Sequence, residues 1–357
     1  MTRVLIDGRA LYDGNRFRGI GVYLRQLVDH MQPPPGLDVS VLVTGDTALP
    51  TGLRAERVSR RLSNRFASRE HRLRLPGDLR RLSFDVYHSP SQEPPRRMDR
   101  PWIQTMHDAT EHPSLVADRE RWRRLATRIC SAAAIITPSE YARRVVVELL
   151  GCDPGQVHAV HHGVDARFRP EPSVRDEGDP YILMVSEYGP WKGYPEAFQV
   201  ASHLRSAGLP HRLKVVGRLA AWVRPQVERL VAESGASERI DLLDYVPEQH
   251  LARVYQGASA LVVTSHMEGF GLPLVEAMAS GVPVVGFDNT AIPEVVGDGG
   301  VIVPDGNVSA MTEEILALLR DQSRWLALSE SGLRRAQAFD WRRSAERHIR
   351  LYLEVAA

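Results

Sequence analysis

The sequence has only two cysteines, Cys130 and Cys152, in 357 residues. Two are too few for a disulfide framework, and their spacing matches no metal-binding motif. A reducing, cytoplasmic environment is therefore expected. Long apolar runs are also missing, because no segment approaches the roughly 20 residues needed to cross a bilayer. The segment Met1–Leu11 lacks the apolar region of a signal peptide, so neither export nor membrane insertion is expected.

An excess of either charge is absent as well. Lys and Arg together number 45 against 44 Asp and Glu, which gives a formal net charge of +1. Such a chain has no global attraction to nucleic acid or anionic lipid, and no nucleic-acid partner is expected. Lysine itself is rare, since Lys192 and Lys214 are the only two. A lysine inside a motif is therefore informative.

The chain does have a regular alternation of short Val- and Ile-rich segments with longer stretches of helical period. This βαβ alternation predicts an α/β protein with doubly wound parallel sheets. The polar, proline-containing stretch 169–180 interrupts the alternation and predicts a linker. We therefore expect one Rossmann-like domain over 1–168 and a second over 181–338.

The last segment, 339–357, predicts an amphipathic helix that must bury its apolar side. The apolar side chains at helical spacing are Trp341, Ala345, Ile349 and Leu353.

Arginine is concentrated in the segment Arg54–Arg81, which has ten arginines against Glu56, Glu70 and Asp78. With Leu and Phe interleaved, the segment fits a solvated helical hairpin or loop. The alternative is a basic surface that contacts an anionic acceptor or the negatively charged face of a membrane. The alternative places the protein peripherally on the inner face of the membrane.

The most informative segment is SHMEGFGLPLVEAMASG, residues 265–281. A predicted strand, Ala260–Thr264, leads into a glycine-rich turn and then into a helix with proline in its first turn. The backbone N–H groups of Phe270, Gly271 and Leu272 are expected at the positive end of this helix. That arrangement suits a phosphate or an anionic leaving group.

Two glutamates belong to the same segment. Glu268 lies just before the helix and Glu276 lies within it, so both can face one crevice at the carboxyl end of the sheet. Because carboxylates only accept hydrogen bonds, two of them beside a phosphate site point to hydroxyl ligands such as those of a sugar or a ribose. The alternative is a structural turn with surface glutamates.

The pattern E-G-F-G-L-P-x-x-E-A-M-A-x-G-x-P-V-V resembles the signature of retaining glycosyltransferases of family 4. Other segments resemble that family in family order, among them QTMHDAT, IITPSEYARR, VHHGVD and YILMVSEYGPWKGYPEAF. The resemblance implies the GT-B fold, in which two Rossmann-like domains face each other across a cleft. It also implies an acceptor-binding N-terminal domain, a C-terminal domain that binds a nucleotide sugar, and a last helix that crosses back onto the N-terminal domain.

By this resemblance, Glu276 holds the ribose hydroxyls and Glu268 binds hydroxyls of the transferred sugar. Lys192 matches the lysine that neutralises the donor diphosphate, with an ordinary turn lysine as the alternative. The positions that surround the nucleotide in the family are matched here by Arg218, Tyr245 and Val246. A fixed cation and helix N–H groups stabilise a leaving group without a metal, so no metal or cofactor is expected.

In the N-terminal half, Gly19 and Gly21 follow the first strand and open a helix, as a second phosphate-binding candidate or as a tight turn. His107 follows a predicted strand and matches the family histidine that faces the donor sugar across the cleft. A structural role is the alternative for His107. For His88 and His162, structural or acceptor contacts are favoured over catalysis.

One position departs from the family pattern. Many members have an arginine five residues before the lysine, paired with it on the phosphates, and Glu187 stands there in this chain. A carboxylate repels a diphosphate. Glu187 must therefore turn away, bind a sugar hydroxyl, or be offset by an arginine such as Arg218 or Arg18.

The resemblance predicts a retaining, metal-independent enzyme that transfers a hexosyl group, mannosyl or similar, from a nucleoside-diphosphate sugar such as GDP-mannose or a UDP-sugar. The acceptor is a saccharide, a lipid-linked molecule or a small molecule. One alternative is another GT-B enzyme, a phosphorylase or nucleotide-sugar epimerase, and another is a catalytically silent GT-B protein that binds a nucleotide sugar. A dinucleotide oxidoreductase is disfavoured, because the first strand leads to no G-x-G-x-x-G motif.

Overall fold

Two parallel β-sheets organise the computed structural model. The structure describes residues 1–13, 16, 18–45, 47–49, 52–58, 67–91, 94–95, 98–107, 119–175 and 178–357. The chain divides into two units: the first contains Met1–Gly163 and Asp340–Ala357, and the second contains Val164–Phe339. Both are α/β units, as the alternation of apolar segments predicts.

The first unit has a seven-stranded parallel sheet in the order β3-β2-β1-β4-β5-β6-β7. Its strands are Thr2–Asp7 (β1), Leu37–Thr44 (β2), Arg54–Val58 (β3), Val86–Ser89 (β4), Trp102–Thr105 (β5), Ala134–Thr137 (β6) and Val157–Ala159 (β7). Its connecting helices are Gly19–Asp29 (α1), Ala67–Arg81 (α2), Arg119–Ile129 (α3) and Glu140–Leu150 (α4). Local sequence sets the ends of α4, because Ser139 caps its first turn and Gly151 ends it at φ +70°.

The second unit has a six-stranded parallel sheet in the order β10-β9-β8-β11-β12-β13. Its strands are Tyr181–Val185 (β8), Arg212–Val216 (β9), Ile240–Asp244 (β10), Ala260–Val263 (β11), Val284–Asp288 (β12) and Val301–Pro304 (β13). Its helices are Pro172–Arg175 (α5), Tyr194–Ser206 (α6), Arg224–Glu233 (α7), Glu248–Gln256 (α8), Leu272–Ala279 (α9), Ile292–Val296 (α10), Val308–Arg320 (α11) and Gln322–Ala336 (α12). The strand order reverses between β8 and β11, where open α/β sheets bind their ligands.

The predicted linker, 169–180, lies inside the second unit, which begins at Val164. Phe168 is buried in the core of this unit, with its ring edge-on to Tyr255 at a centroid distance of 5.4 Å. Val174 of α5 is buried as well. The first unit therefore ends at Gly163 and not at residue 168. The polar sequence of this stretch gave the wrong boundary, because its few apolar side chains pack in the second unit.

The last helix, Trp341–Ala356 (α13), packs in the first unit against α1, β1 and β4. Its predicted apolar side is wrong at Leu353, which is 39% exposed. Steps of four residues overshoot the helical turn by about 40° each, so Leu353 lies about 120° from Trp341 around the helix. His348 and Tyr352 lie within about 20° of Trp341, and both are fully buried.

The arginine-rich segment begins with an edge strand, β3, where a helical hairpin or loop is expected, and the helix α2 lies further along the segment. Arg54 of β3 pairs with Glu56 at 2.6 Å and with Asp38 of β2 at 3.8 Å. Charged side chains are typical of an edge strand, which makes such a strand hard to identify from apolar periodicity. Residues 59–66 lie outside the described residues, and the basic surface stays a prediction.

The two cysteines form a disulfide that joins Cys130, which follows α3, to Cys152, which follows α4. Their separation of 22 residues gave no reason to expect this bond. The pair comes together because α3 packs beside α4.

Candidate active site

The carboxyl ends of β8 and β11 are neighbours at the point where the strand order of the second sheet reverses. Lys192 lies in the loop that follows β8, and Glu268 lies in the loop that follows β11. Their side chains form an ion pair, with Lys192 Nζ 2.7 Å from Glu268 Oε1, and they are 22% and 18% exposed. The structure therefore brings together two of the three predicted catalytic residues at the expected ligand-binding edge.

Close backbone packing fixes the loop that carries Lys192. Gly193 has φ +63°, and a Cβ atom there would lie 1.9 Å from the carbonyl oxygen of Thr264. The Thr264 hydroxyl in turn donates to the Gly193 carbonyl at 2.7 Å. Only glycine fits this contact, so the position of the neighbouring Lys192 depends on it.

The loop that carries Glu268 ends at the start of α9. Gly271 precedes the helix at φ +84°, and Pro273 lies in its first turn. The first N–H groups of α9 form its positive end, and such a helix end favours an anionic ligand. The side chain of Phe270 is buried in the core, edge-on to Phe339 at 5.6 Å.

Glu276 of α9 is buried, and its Oε2 atom accepts a 2.6 Å hydrogen bond from the hydroxyl of Tyr255. Burial raises the pKa of Glu276 to about 7, although the Tyr255 hydrogen bond and the charge of Arg167 oppose that shift. Oε2 is thus held by the protein. Sequence reasoning missed Tyr255, because a tyrosine on an amphipathic helix looks like any core residue.

Glu187, which departs from the family pattern, lies 3.6 Å from Arg218 in an ion pair. Arg218, one of the two arginines proposed to offset this carboxylate, therefore balances its charge. Gly217 makes the approach possible, because a Cβ atom there would lie 1.8 Å from the Ser186 carbonyl oxygen. The predicted nucleotide-binding Arg218 is therefore engaged with a carboxylate of the β8 loop.

Tyr245 and Val246 follow β10. The preceding residue, Asp244, has φ +59°, accepts from the N–H of Leu219 at 3.0 Å, and pairs with Arg224. These bonds tie the loop after β9 to the loop after β10. The side chain of Tyr245 is 41% exposed, whereas Val246 packs against the core.

The remaining predicted residues belong to the first unit. Helix α1 begins at Gly19, where a Cβ atom would meet nothing within 4 Å, and Gly21 is buried. His107 is buried, and its Nε2 atom lies 3.0 Å from the carbonyl oxygen of Pro90. Burial lowers the pKa of His107 to about 4, so its ring is neutral and Nε2 donates to that carbonyl.

Comparisons with known proteins identify the family. The family described as Glycosyl transferases group 1 matches residues 165–335, and Glycosyltransferase Family 4 matches residues 17–168. O-antigen chain mannosyltransferase B of Escherichia coli is 27% identical over 303 residues, which cover 79% of this chain and 77% of that protein. Sucrose-phosphate synthase from Thermosynechococcus elongatus has a TM-score of 0.82 at 19% identity, with 99% of both chains covered. The chain belongs to the GT-B glycosyltransferases.

A second solved structure similar to this glycosyltransferase is Anabaena HepE in complex with UDP-glucose. Its TM-score is 0.77 at 16% identity, over 99% of this chain and 100% of that one. Seven other curated relatives are matched over 47% to 73% of their own length. Within the described part of the glycosyltransferase, we find no helix with the length and apolar character needed to span a membrane.

Buried histidines link α13 to the first sheet of the glycosyltransferase. His88 lies between two hydroxyls, with Nδ1 2.8 Å from Tyr352 and Nε2 2.8 Å from Thr105. The hydroxyl of Tyr23 lies 2.8 Å from His348 Nε2. These contacts support the structural interpretation of His88. His162 is also buried and stacks on Trp341 of α13, 5.4 Å between ring centroids.

Proposed function

We propose that this glycosyltransferase transfers a hexosyl group, mannosyl or similar, from a nucleoside-diphosphate sugar, with retention of anomeric configuration and without a metal ion. The observation that carries the proposal is the Lys192–Glu268 ion pair at the reversal of strand order. It places a cation and a carboxylate side by side near the start of α9. The cation suits a diphosphate, and the carboxylate can accept a hydrogen bond from a sugar hydroxyl.

The cation stabilises the leaving group. As the bond between the anomeric carbon and the phosphate oxygen breaks, negative charge grows on the diphosphate. Lys192 Nζ and the first N–H groups of α9 are fixed beforehand, so they stabilise this charge without reorganising. Glu268 then accepts hydrogen bonds from the transferred sugar.

Glu276 holds the nucleoside in this proposal. Its Oε2 atom is occupied by Tyr255, which leaves Oε1 to accept from the ribose hydroxyls. Because burial raises the pKa of Glu276 to about 7, ribose binding should favour its ionised form at and above that pH.

Retention follows from a front-face reaction in this proposal. The acceptor oxygen bonds to the anomeric carbon on the face that the phosphate leaves, and the acceptor proton passes to the departing phosphate oxygen. Donor candidates are GDP-mannose and UDP-sugars. The mannosyltransferase relative supports the first and the UDP-glucose complex of HepE supports the second. The acceptor is a saccharide, a lipid-linked molecule or a small molecule.

The donor is tested by thermal shift with UDP, GDP, ADP and their sugars. A ligand that binds only the folded protein raises the melting temperature, by an amount that follows its concentration relative to Kd. The matching nucleotide and its sugar should do so. If none of them stabilises the protein, the proposed donor class is wrong.

The role of Lys192 is tested by Lys192→Ala, which should lower kcat by about a hundredfold or more, since a positioned donor at a developing anion is worth roughly 3 kcal/mol. Lys214→Ala is the matched control. Lys214 lies over the ring of Tyr181, 3.7 Å from its centroid, and has no part in the proposed site. Turnover by Lys192→Ala equal to that of the control would contradict the proposal.

A further inference from the structure

His266 lies between two carboxylates in the second unit. Its Nδ1 atom is 2.9 Å from Asp305 Oδ1, and its Nε2 atom is 3.1 Å from Glu196 Oε1. Asp305 follows β13 and Glu196 lies in the first turn of α6, so one ring joins three parts of the unit. Phe287 of β12 stacks on the ring, with 5.6 Å between centroids.

These contacts define the protonation of the ring. An ionised carboxylate can only accept hydrogen bonds, so both ring nitrogens must donate. His266 therefore carries two protons and a positive charge. Burial lowers the pKa of His266, but its hydrogen bonds to Glu196 and Asp305 outweigh this effect and the pKa is raised above 6.5. Among the described residues, the charges that act on the ring are those of Glu196 and Asp305.

The ring also belongs to the scaffold of the Lys192 loop. The backbone N–H of His266 donates to the carbonyl oxygen of Trp191, the neighbour of Lys192, at 2.8 Å. The hydroxyl of Ser265 donates to the same carbonyl at 3.4 Å. A shift of residues 265 and 266 would thus be transmitted directly to the residue before Lys192.

A second path leads from Asp305 to Glu268. The side-chain amide of Asn289 donates to Asp305 at 2.6 Å and to the carbonyl oxygen of Ser265 at 3.1 Å. Thr290 donates to Asn289 at 2.9 Å and accepts from the N–H of Glu268 at 3.1 Å. Asp305 is therefore connected to the backbone of Glu268 through two polar side chains.

We propose that His266 is a positioning residue whose imidazolium form, held by Glu196 and Asp305, keeps Lys192 and Glu268 in place for glycosyl transfer. The inference rests on the proposed function. Deprotonation removes one donor from the ring, so the ring loses one of its two hydrogen bonds to the carboxylates and the loop that contains His266 loses a restraint. Transfer should then weaken as the pH rises through the pKa of His266, because the raised pKa means that the cation is present below it and lost above it.

The experiment compares His266→Gln with His250→Gln, an exposed histidine of α8 that serves as control. The pH dependence of kcat and the nucleotide Kd are measured for each. In wild type and the control, kcat should fall on the alkaline side. His266→Gln should lose that pH dependence and, near neutral pH, about tenfold or more in kcat, because a misplacement of about 1 Å can cost about a hundredfold. Its nucleotide Kd should stay unchanged.

Two measurements keep the inference separate from the proposed function. An NMR titration of histidine labelled at Cε1, assigned with His266→Gln, should show a cationic ring at neutral pH, and Asp305→Asn should lower its pKa. A neutral ring, or an unchanged kcat profile in His266→Gln, would overturn the inference. Absence of transfer by the wild type from every nucleotide sugar, with a cationic ring in the titration, would instead count against the proposed function.

Discussion

Acidification should destabilise the first unit through the histidines buried in and beneath α13. Four of them, His88, His107, His162 and His348, are at most 7% exposed. Burial lowers the pKa of all four, to about 4 for His107 and for His348. The native rings are therefore neutral near pH 7. The histidines bind protons near pH 6.5 in the unfolded chain but not in the native unit, so acid favours unfolding.

The size of the effect follows from the shift. For one histidine with a pKa of about 4 when folded and about 6.5 when unfolded, the loss at about pH 5 is about 2 kcal/mol. His107 and His348 together give about 4 kcal/mol, a large share of the roughly 5–15 kcal/mol that stabilises a typical domain. Stability should be constant above about pH 7 and should fall between about pH 6.5 and 4.

The second unit contains an opposite contribution. Burial raises the pKa of Glu276 from 4.5 to about 7, so the folded state binds a proton that the unfolded state lacks in that range. Acidification to about pH 5 should stabilise this unit by about 2 kcal/mol through Glu276 alone. Through these groups, acid should therefore destabilise the first unit and stabilise the second.

Hydrogen exchange in urea at pH 7.5 and pH 5 distinguishes the units. Correction for intrinsic exchange should show that α13 loses protection at the lower pH while α9 does not. His348→Gln should reduce the pH dependence of α13 by about 2 kcal/mol, and His250→Gln should leave it unchanged. Equal protection of α13 at both pH values, or the same dependence in His348→Gln, would refute the reasoning.

Three further perturbations test other parts of the molecule. Glu276→Ala should weaken nucleotide binding by about 1–3 kcal/mol in calorimetry, and an unchanged Kd would argue against ribose binding. Reduction of Cys130–Cys152, which closes a loop of 22 residues, should cost about 3 kcal/mol of unfolding free energy; a melting temperature indifferent to reductant would count against it. Gly193→Ala should reduce kcat at least tenfold by displacing Lys192. The control is Gly208→Ala, which is also at positive φ but in open space and should cost stability only. Equal kcat in the two variants would contradict the packing argument.

The neighbouring positions of Lys192 and Glu268 could be inferred from sequence, although their ion pair could not, because both residues follow apolar strands. Residues that follow parallel strands collect at one edge of the sheet, and a reversal of strand order brings two such loops together. The motif around α9 supplied the residue types. The order of the parallel strands is therefore enough to place these two groups at one edge of the sheet, without knowledge of side-chain contacts.

The Tyr255–Glu276 hydrogen bond could not be predicted in this way. Tyr255 lies on α8, and its hydroxyl reaches Glu276 only through the packing of α8 beside α9. The same holds for His266, whose partners Glu196 and Asp305 lie on α6 and after β13, far from it in sequence. Contacts between side chains that are distant in sequence leave no periodic pattern, and they cannot be inferred from the positions of strand ends.

Glu187 shows how sequence and structure together define the chemistry of the site. The sequence left three outcomes for this carboxylate, and its ion pair with Arg218 selects one of them. With Lys192 paired to Glu268, the two cations and two carboxylates of this region balance before a donor arrives. In the proposed function, a diphosphate therefore gains little from the net side-chain charge here, because the carboxylate of Glu268 lies beside Lys192. The sugar of the donor offers hydroxyls to Glu268, so we expect the site to bind a nucleotide sugar more tightly than the free nucleotide.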